Sequence, residues 1–352
     1  RGEGLARASI DSARIPRADL VHLMAKVLIL DHDQVVRLLT MTECLRLLRE
    51  AFTALGSGQA FQPLRSVVRP PDAHGVLGMM PAYLAGPRAA LGMKTITVFH
   101  RNVAKGMDSH QGAVLLYSAE TGELQAVMNA SAITAIRTAA ASGLATDLLA
   151  RQDAKTLAMI GTGVEAGPHL EAIAAVRPIE ICRVASRNFA NAERFADEFS
   201  GRFGCPVEAV ESVESAVMGA DIIATVTNAK QSVIQREWVA PGAHLNAVGS
   251  CLPTTREIDG ATVAAASIFT DRRESALAEA GDLIIAQAEG LFSPGDIRAE
   301  LGELLTGHHP GRTTADEITL FESLGIGIED VACAAYVYDR ASEKGAGQWV
   351  EF

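Results

Sequence analysis

Leu157-Ala158-Met159-Ile160-Gly161-Thr162-Gly163-Val164-Glu165-Ala166 is the stretch on which the fold turns. Four apolar residues run straight into GxGxxA, and a helix-prone segment follows. Strand, glycine turn and helix in that order make a dinucleotide-binding βα unit. Gly161 permits the tight turn, Gly163 lets a pyrophosphate approach the backbone, and Ala166 lets the helix pack closely on the strand. The N–H groups at the helix start then face the phosphates. Cofactor contact is therefore expected at Gly161, Thr162, Gly163, Val164, Glu165 and Ala166. A second strand, Ile179 to Ala185, arrives at the expected spacing. Where NAD-binding versions place Asp or Glu on the ribose, this chain has Ser186-Arg187-Asn188. The missing carboxylate and the arginine favour the 2′-phosphate of NADP(H), with NAD(H) as the alternative.

Downstream the alternation continues. Strand-like runs occur at Val207 to Val210, Asp221 to Val226, His244 to Val248 and Ser267 to Thr270, with a short helix at Val213 to Met218 among them. That pattern predicts an α/β fold with a doubly wound parallel sheet, a Rossmann domain. Upstream the period changes to two. Val27 to Leu30 reads as a strand, and a helix starts at Thr40, with Glu43 three residues on, and ends at Gly56. Strand-like runs follow at Arg65 to Val68, Gly75 to Met80, Lys94 to His100 and Ala113 to Ser118, the last turning through Glu120-Thr121-Gly122 into Glu123 to Met128 as a hairpin. This first region is expected to be mostly antiparallel sheet. The apolar, helix-prone segment Thr319 to Ala341 is expected to return and pack on it. The organisation predicted is residues 1–23 as an upstream extension, 24–137 with 319–352 as a mixed α+β substrate and dimerisation domain, and 138–318 as the Rossmann domain.

The chain's 352 residues correspond to about two domains at roughly 150 residues each. Hydrophobic residues make up 48% and charged residues 21%, which excludes wholesale disorder. The net charge of −11, with no dense basic run, argues against a nucleic-acid partner. The uncharged stretch Val239 to Thr255 contains two prolines, two glycines, His244 and Asn246, so it does not read as a membrane span. The five cysteines form no CxxC pair, so neither a disulfide framework nor a structural zinc site is expected. No metal site is predicted, and a cytoplasmic location is the expectation.

Several segments in order resemble the ornithine cyclodeaminase/μ-crystallin family, from about Val27 to Tyr338. They are Gln62-Pro63-Leu64-Arg65, Met80-Pro81-Ala82-Tyr83, Gly92-Met93-Lys94, His110-Gln111-Gly112, Thr121-Gly122, Ile133-Thr134-Ala135-Ile136-Arg137-Thr138-Ala139-Ala140, Gly161-Thr162-Gly163, Asn246-Ala247-Val248-Gly249, and Ser323-Leu324-Gly325 followed by Glu329-Asp330. The resemblance implies a homodimer whose small-molecule substrate sits between the two domains. It implies that Arg65 and Arg137 hold a substrate carboxylate, a task for which a guanidinium's planar fork is suited. Lys94 would be the active-site lysine, able to protonate an imine in a desolvated cleft. Met80 and Cys251 join the implied substrate site. Thr138, at an expected helix start, is a candidate phosphate contact. Thr227, Asn246, Val248, Gly249, Leu324 and Gly325 complete the implied cofactor set. His110 and His100 are weaker catalytic candidates, His100 because a regular strand would put it on the face of Lys94.

One departure bears on the reaction. Cyclodeaminases and alanine dehydrogenases of the family resemble one another in an aspartate two residues after the glycine of the NAVG segment, and Cys251 stands there in this chain. A mostly neutral thiol does the aspartate's work poorly. The expectation is therefore an NAD(P)H-dependent reductase of a 2-imino acid or cyclic ketimine. Ornithine cyclodeamination or alanine-dehydrogenase-like chemistry is the alternative, and a μ-crystallin-like binder of NADPH and a small ligand is an alternative of another class.

Overall fold

The computed structural model describes residues 26–72, 74–86 and 88–352, so the expected extension over 1–23 lies outside the described residues. Its strands are β1 (Lys26–Leu30), β2 (Ala60–Phe61), β3 (Ser66–Val68), β4 (Val76–Leu84), β5 (Ala90–Val98), β6 (His110–Tyr117), β7 (Leu124–Asn129), β8 (Thr156–Ile160), β9 (Ile181–Ala185), β10 (Val207–Ala209), β11 (Ile222–Thr225), β12 (His244–Ala247), β13 (Ser267–Thr270), β14 (Ile297–Glu300), β15 (Thr319–Glu322) and β16 (Gln348–Glu351).

They form two sheets. The first runs β16-β1-β7-β6-β5-β4-β2, with β3 also on β4. Only β1 and β7 pair in parallel there; the remaining pairs are antiparallel, as the period of two predicts. Ser118 and Gly122 make the expected turn of the β6–β7 hairpin, Gly122 taking φ +76°. The second sheet runs β10-β9-β8-β11-β12-β15-β13-β14, and every pair in it is parallel. The chain leaves β8 in one direction for β9 and β10, then returns to β11 on its other side. Ligands bind at such a reversal, outside the carboxyl ends of the strands.

Among the described residues, three long helices and the short His32–Leu38 pack on the first sheet. Met41–Gly56 is capped by Thr40, whose hydroxyl accepts from the Glu43 N–H at 3.4 Å, and it buries Cys44, Leu47, Leu48, Ala51, Phe52 and Leu55. Its end at Gly56 lies so close to Gly302 that a Cβ there would sit 2.3 Å from a carbonyl oxygen. Ala130–Leu149, rich in alanine, is buried nearly throughout and packs on both sheets. Gly327–Lys344 closes the core and ends on left-handed Gly345. Leu28, Phe52, Val114, Met128, Ile133, Leu144 and Val331 belong to this one hydrophobic cluster.

The structure departs from the sequence expectation at identifiable places. The apolar run from Thr319 is not helical at its start: β15 is a fully buried strand between β12 and β13, and the helix begins only at Gly327. A short apolar run buried on both faces carries no period to separate strand from helix. The expected cut at 137/138 falls inside the unbroken helix Ala130–Leu149, so no linker marks it. Strands β14 and β16 and the short helix His32–Leu38 have no counterpart in the sequence reading.

Candidate active site

Lys94 alternates inward with Gly92 and Ile96 on β5, which places a charged side chain in the buried row, 1% exposed. Met80 stands directly across from it on β4. An unpaired ammonium at that depth would be prohibitively costly. Lys94 Nζ is met by Asp330 Oδ1 at 3.0 Å and donates to Thr134 Oγ1 at 3.3 Å. Burial, with nearby Arg137 adding to it and Asp330 opposing it, lowers its pKa to about 8.

Arg137, on the helix Ala130–Leu149, shares the same carboxylate. Its Nε donates to Asp330 Oδ1 at 3.1 Å and its Nη1 to Glu329 Oε2 at 2.8 Å. Burial works against its charge, but Asp330 and Glu329 more than offset that and raise its pKa. Glu329 uses its other oxygen to accept from Ile326 N–H at 3.1 Å, closing the first turn of the helix Gly327–Lys344, and burial lifts its pKa to about 7. Arg65, just ahead of β3, donates from Nη2 to the Leu324 and Gly325 carbonyls at 2.7 and 3.2 Å, and its Nε pairs with Glu279 at 2.7 Å. Gly325 has φ +70°, and a Cβ there would fall 2.1 Å from Arg137 Nη1. The Leu324 and Gly325 N–H groups are tied to Asp271 Oδ2 at 2.8 and 2.6 Å. Lys94, Met80, Arg65, Arg137, Leu324 and Gly325 are thus brought together from five separate segments.

The glycine turn follows β8 at its carboxyl end, where the strand order reverses. Gly161 has φ +109°, and a Cβ would meet the Val226 carbonyl at 2.8 Å. Beside Gly163 the space is open. Glu165 begins the helix Ala166–Val176 without a side-chain cap, which leaves first-turn N–H groups for an anion. Ala166 is buried on the strand side, and Val164 projects outward. Thr162 Oγ1 donates to Ser186 Oγ at 3.3 Å, linking the turn to the end of β9. Arg187 is exposed there, while Asn188 caps the helix Phe189–Phe199 by accepting from Ala190 N–H. A dinucleotide fits these residues: the turn gives backbone access, the helix start gives donors, and a serine and an arginine end β9.

Other expected residues take different places. Thr138 sits in mid-helix, because the helix starts at Ala130, so it is not at an anion-binding N-terminus. Asn246 is buried and donates from Nδ2 to Thr146 Oγ1 at 3.0 Å, clasping sheet to helix. His110 is exposed at the start of β6, opposite Val98 and four register positions from the Lys94–Val114 pair. β5 ends at Val98 and residue 100 opens a 3-10 turn, so regular alternation does not reach His100, whose side chain lies outside the described residues. Cys251 donates its thiol proton to the Val248 carbonyl at 3.3 Å, and burial pushes its pKa up to about 12. Burial thus holds it as a neutral thiol.

Sequence reasoning missed the acids that organise this site. Asp330 and Glu329 appeared only as part of a family-like segment, and Glu257 did not appear at all. Glu257 is fully buried and accepts from Thr225 Oγ1 at 2.9 Å, Thr227 N–H at 2.6 Å and Gly249 N–H at 2.7 Å. It pins the ends of β11 and β12, with Gly249 so close that a Cβ would meet the Thr227 carbonyl at 1.9 Å. A lone glutamate between loop segments gives no local signal of that role.

A parallel sheet with a reversal in strand order, a glycine turn that opens a helix at that reversal, and a buried lysine–arginine cluster are the features of a dinucleotide-dependent oxidoreductase. The ornithine cyclodeaminase/mu-crystallin family model matches residues 25–345. A Delta(1)-pyrroline-2-carboxylate reductase of Bacillus cereus is 36% identical over 327 residues, 93% of this chain and 100% of that protein. Ketimine reductase mu-crystallin of Mus musculus is 40% identical over 285 residues, 81% of this chain and 87% of that protein. The Thermococcus litoralis Delta(1)-pyrroline-2-carboxylate reductase, solved in complex with NADH and L-proline, superposes with a TM-score of 0.90 at 38% identity, covering 92% of this chain and 100% of that one. The chain belongs to the ornithine cyclodeaminase/mu-crystallin family. It is an NAD(P)H-dependent oxidoreductase acting on CH–NH donors. No helix among the described residues is long and apolar enough to cross a membrane.

Proposed function

We propose that the protein reduces the C=N bond of a cyclic ketimine or 2-imino acid bearing a carboxylate, forming an amino acid. The observation that carries this is the buried Lys94 ammonium, held 3.0 Å from the Asp330 oxygen that also takes Arg137. Reduction of an imine needs a proton at nitrogen and an electron pair at carbon. A reduced nicotinamide, when bound, supplies the hydride to that carbon. Arg65 and Arg137 hold the substrate carboxylate, Arg137 kept charged by Glu329 and Asp330. Lys94 gives its proton to the nitrogen; a pKa near 8 keeps it protonated at neutral pH yet makes it a better acid than an ordinary lysine. Met80, opposite Lys94, walls the substrate site. Glu257 holds Thr227 and Gly249 where they can border the nicotinamide, with Val248 beside them.

Coenzyme choice follows from the end of β9. Ser186 and Arg187 stand where a ribose-binding carboxylate would discriminate against a 2′-phosphate, which supports NADPH over NADH. Cys251, a neutral thiol where an aspartate would serve ring closure, supports reduction over cyclodeamination. The exposed apolar residues Ile29, Leu91 and Val350 on β1, β5 and β16, which share one face of the first sheet, support a homodimer joined there.

The test is oxidation of NADPH and NADH by the purified protein with pyrroline-2-carboxylate, piperideine-2-carboxylate, and pyruvate, glyoxylate or oxaloacetate with ammonia or methylamine. Turnover with a cyclic or acyclic imine is expected. Silence across the panel from protein that still binds coenzyme would overturn the proposal.

A further inference from the structure

Glu279 is the last residue of the helix Arg273–Glu279, where an acid works against the helix dipole and does nothing for its own helix. It is also partly buried. A carboxylate so placed calls for a cation, and the one it meets is Arg65. Arg65 Nε lies 2.7 Å from Glu279 Oε2, an oxygen shut off from solvent that bonds to no other group among the described residues. Ser275, one helical turn earlier on the same face, lines a small cavity together with Gln62, Arg65, Met80 and Gly325, so this face of the helix borders the substrate site.

The pair crosses between the two halves of the molecule. Arg65 leads into β3 of the first sheet, whereas its partners among the described residues come from segments of the second: Glu279 from the helix after β13, and the Leu324 and Gly325 carbonyls from the loop after β15. Asp271, at the end of β13, holds that loop in turn through the Leu324 and Gly325 N–H groups. Nη2 on the carbonyls and Nε on Glu279 together fix the plane and direction of the guanidinium, and Nη1 is left for an incoming carboxylate. We propose that Glu279 is a positioning residue for Arg65: by holding Nε it keeps the guanidinium in the cleft with its open end toward the substrate carboxylate, and it takes no part at the reacting bond. The proposal rests on the assignment of Arg65 to the substrate carboxylate made above. Two effects oppose each other here. The charge of Glu279 weakens the pull of Arg65 on a second carboxylate, but a guanidinium freed of its counter-ion gains hydration and side-chain entropy by swinging into water. Positioning prevails because Glu279 occupies Nε and leaves the end of the fork open.

The test is binding of pyrrole-2-carboxylate, a planar analogue without a reducible C=N bond, measured by calorimetry on NADP+-loaded wild-type, Glu279→Ala, Arg65→Met and doubly substituted protein. Glu279→Ala is expected to raise the dissociation constant about tenfold, on the scale of one charged hydrogen bond, and to add nothing once Arg65 is Met. Glu279→Gln, whose amide oxygen still accepts from Nε, is expected to fall between wild type and Glu279→Ala. In turnover assays the loss is expected in the substrate KM rather than in kcat, with the NADP+ dissociation constant and the melting temperature unchanged. Tighter analogue binding by Glu279→Ala would make Glu279 a competitor for Arg65 and overturn the proposal. So would an unchanged constant, a loss that recurs in full in the Arg65→Met background, or an equal loss of coenzyme affinity. Absent turnover in wild-type protein with these binding results intact would count against the imine-reductase reading alone. Arg65→Met protein that binds the analogue as wild type does would remove the assignment of Arg65, and this proposal with it.

Discussion

Lys94 and Asp330 lie 236 residues apart in the chain and 3.0 Å apart in space, both buried, with Arg137 on the same carboxylate oxygen. One anion therefore holds two cations at the floor of the cleft. Lys94 is the one whose proton is loosened, because burial and Arg137 act against it while only Asp330 favours it.

The pH dependence of the rate follows from that pairing. A pKa lowered to about 8 means that the acid form of Lys94 is complete below pH 7 and is lost above 8. In steady-state assays at saturating coenzyme, kcat is expected to fall roughly tenfold per pH unit beyond that point. Lys94→Met should lower kcat by roughly a hundredfold to ten-thousandfold and abolish the limb. A limb that persists in Lys94→Met would assign the proton to another group.

The two arginines should behave differently when truncated. Arg65 is partly exposed and pairs with a similarly placed Glu279, so Arg65→Met should raise the substrate KM by about ten- to a hundredfold with little change in melting temperature. Arg137→Met strands Glu329 in the interior, leaves Asp330 with Lys94 alone, and should cost about 3–5 kcal/mol of stability as well. Denaturant unfolding alongside substrate titration separates the two cases.

Gly325→Ala adds one methyl group. It would lie 2.1 Å from Arg137 Nη1, at a residue with φ +70°. Displacement of the guanidinium is expected to weaken substrate binding by about tenfold, on the scale of one charged hydrogen bond, while the coenzyme dissociation constant stays unchanged. Equal loss for both ligands would point to collapse of the loop instead.

At the far end of the crevice, Arg187→Ala should raise the KM for NADPH by about tenfold, again on the scale of one charged hydrogen bond, and leave that for NADH unaltered. Parallel titrations of the two coenzymes decide it, and an equal effect on both would remove Arg187 from the account of coenzyme choice.

Glu257→Gln keeps the size of the side chain and turns one acceptor oxygen into a donor facing Thr225 Oγ1, Thr227 N–H or Gly249 N–H. The coenzyme KM should rise more than the substrate KM, by roughly tenfold for one charged hydrogen bond lost. Thr225→Val removes one contact of the same clamp and should show the same split more weakly. No change in either parameter would show that the clamp does not shape the coenzyme site.

The local pieces of this protein were legible from neighbouring residues. The run Leu157 to Ala166 specifies strand, turn and helix because its apolar residues, glycines and small residue act within one βα unit. Lys94 was singled out by the resemblance and not by its strand's pattern, whereas Gly122 gives the hairpin, since turn chemistry is a property of a few consecutive residues. Thr138 was misplaced for the same reason: helix starts are weakly marked in an alanine-rich run, and the cap that matters is Asn129, which accepts from Ala132 N–H at 2.9 Å.

Tertiary structure alone decided which charges meet. Arg65 reaches Leu324 across 259 positions, Arg137 reaches Asp330 across 193, and Glu257 joins two loops whose closeness depends on β11 lying beside β12. It also settled that β15 is a strand, because only its neighbours β12 and β13 supply the backbone partners that make an apolar run extended rather than helical. Sequence spacing sets the form of each element, but a buried cation is paid for by whichever carboxylate the folded chain brings within hydrogen-bond reach, and that choice exists only once the two sheets and the helices between them have packed.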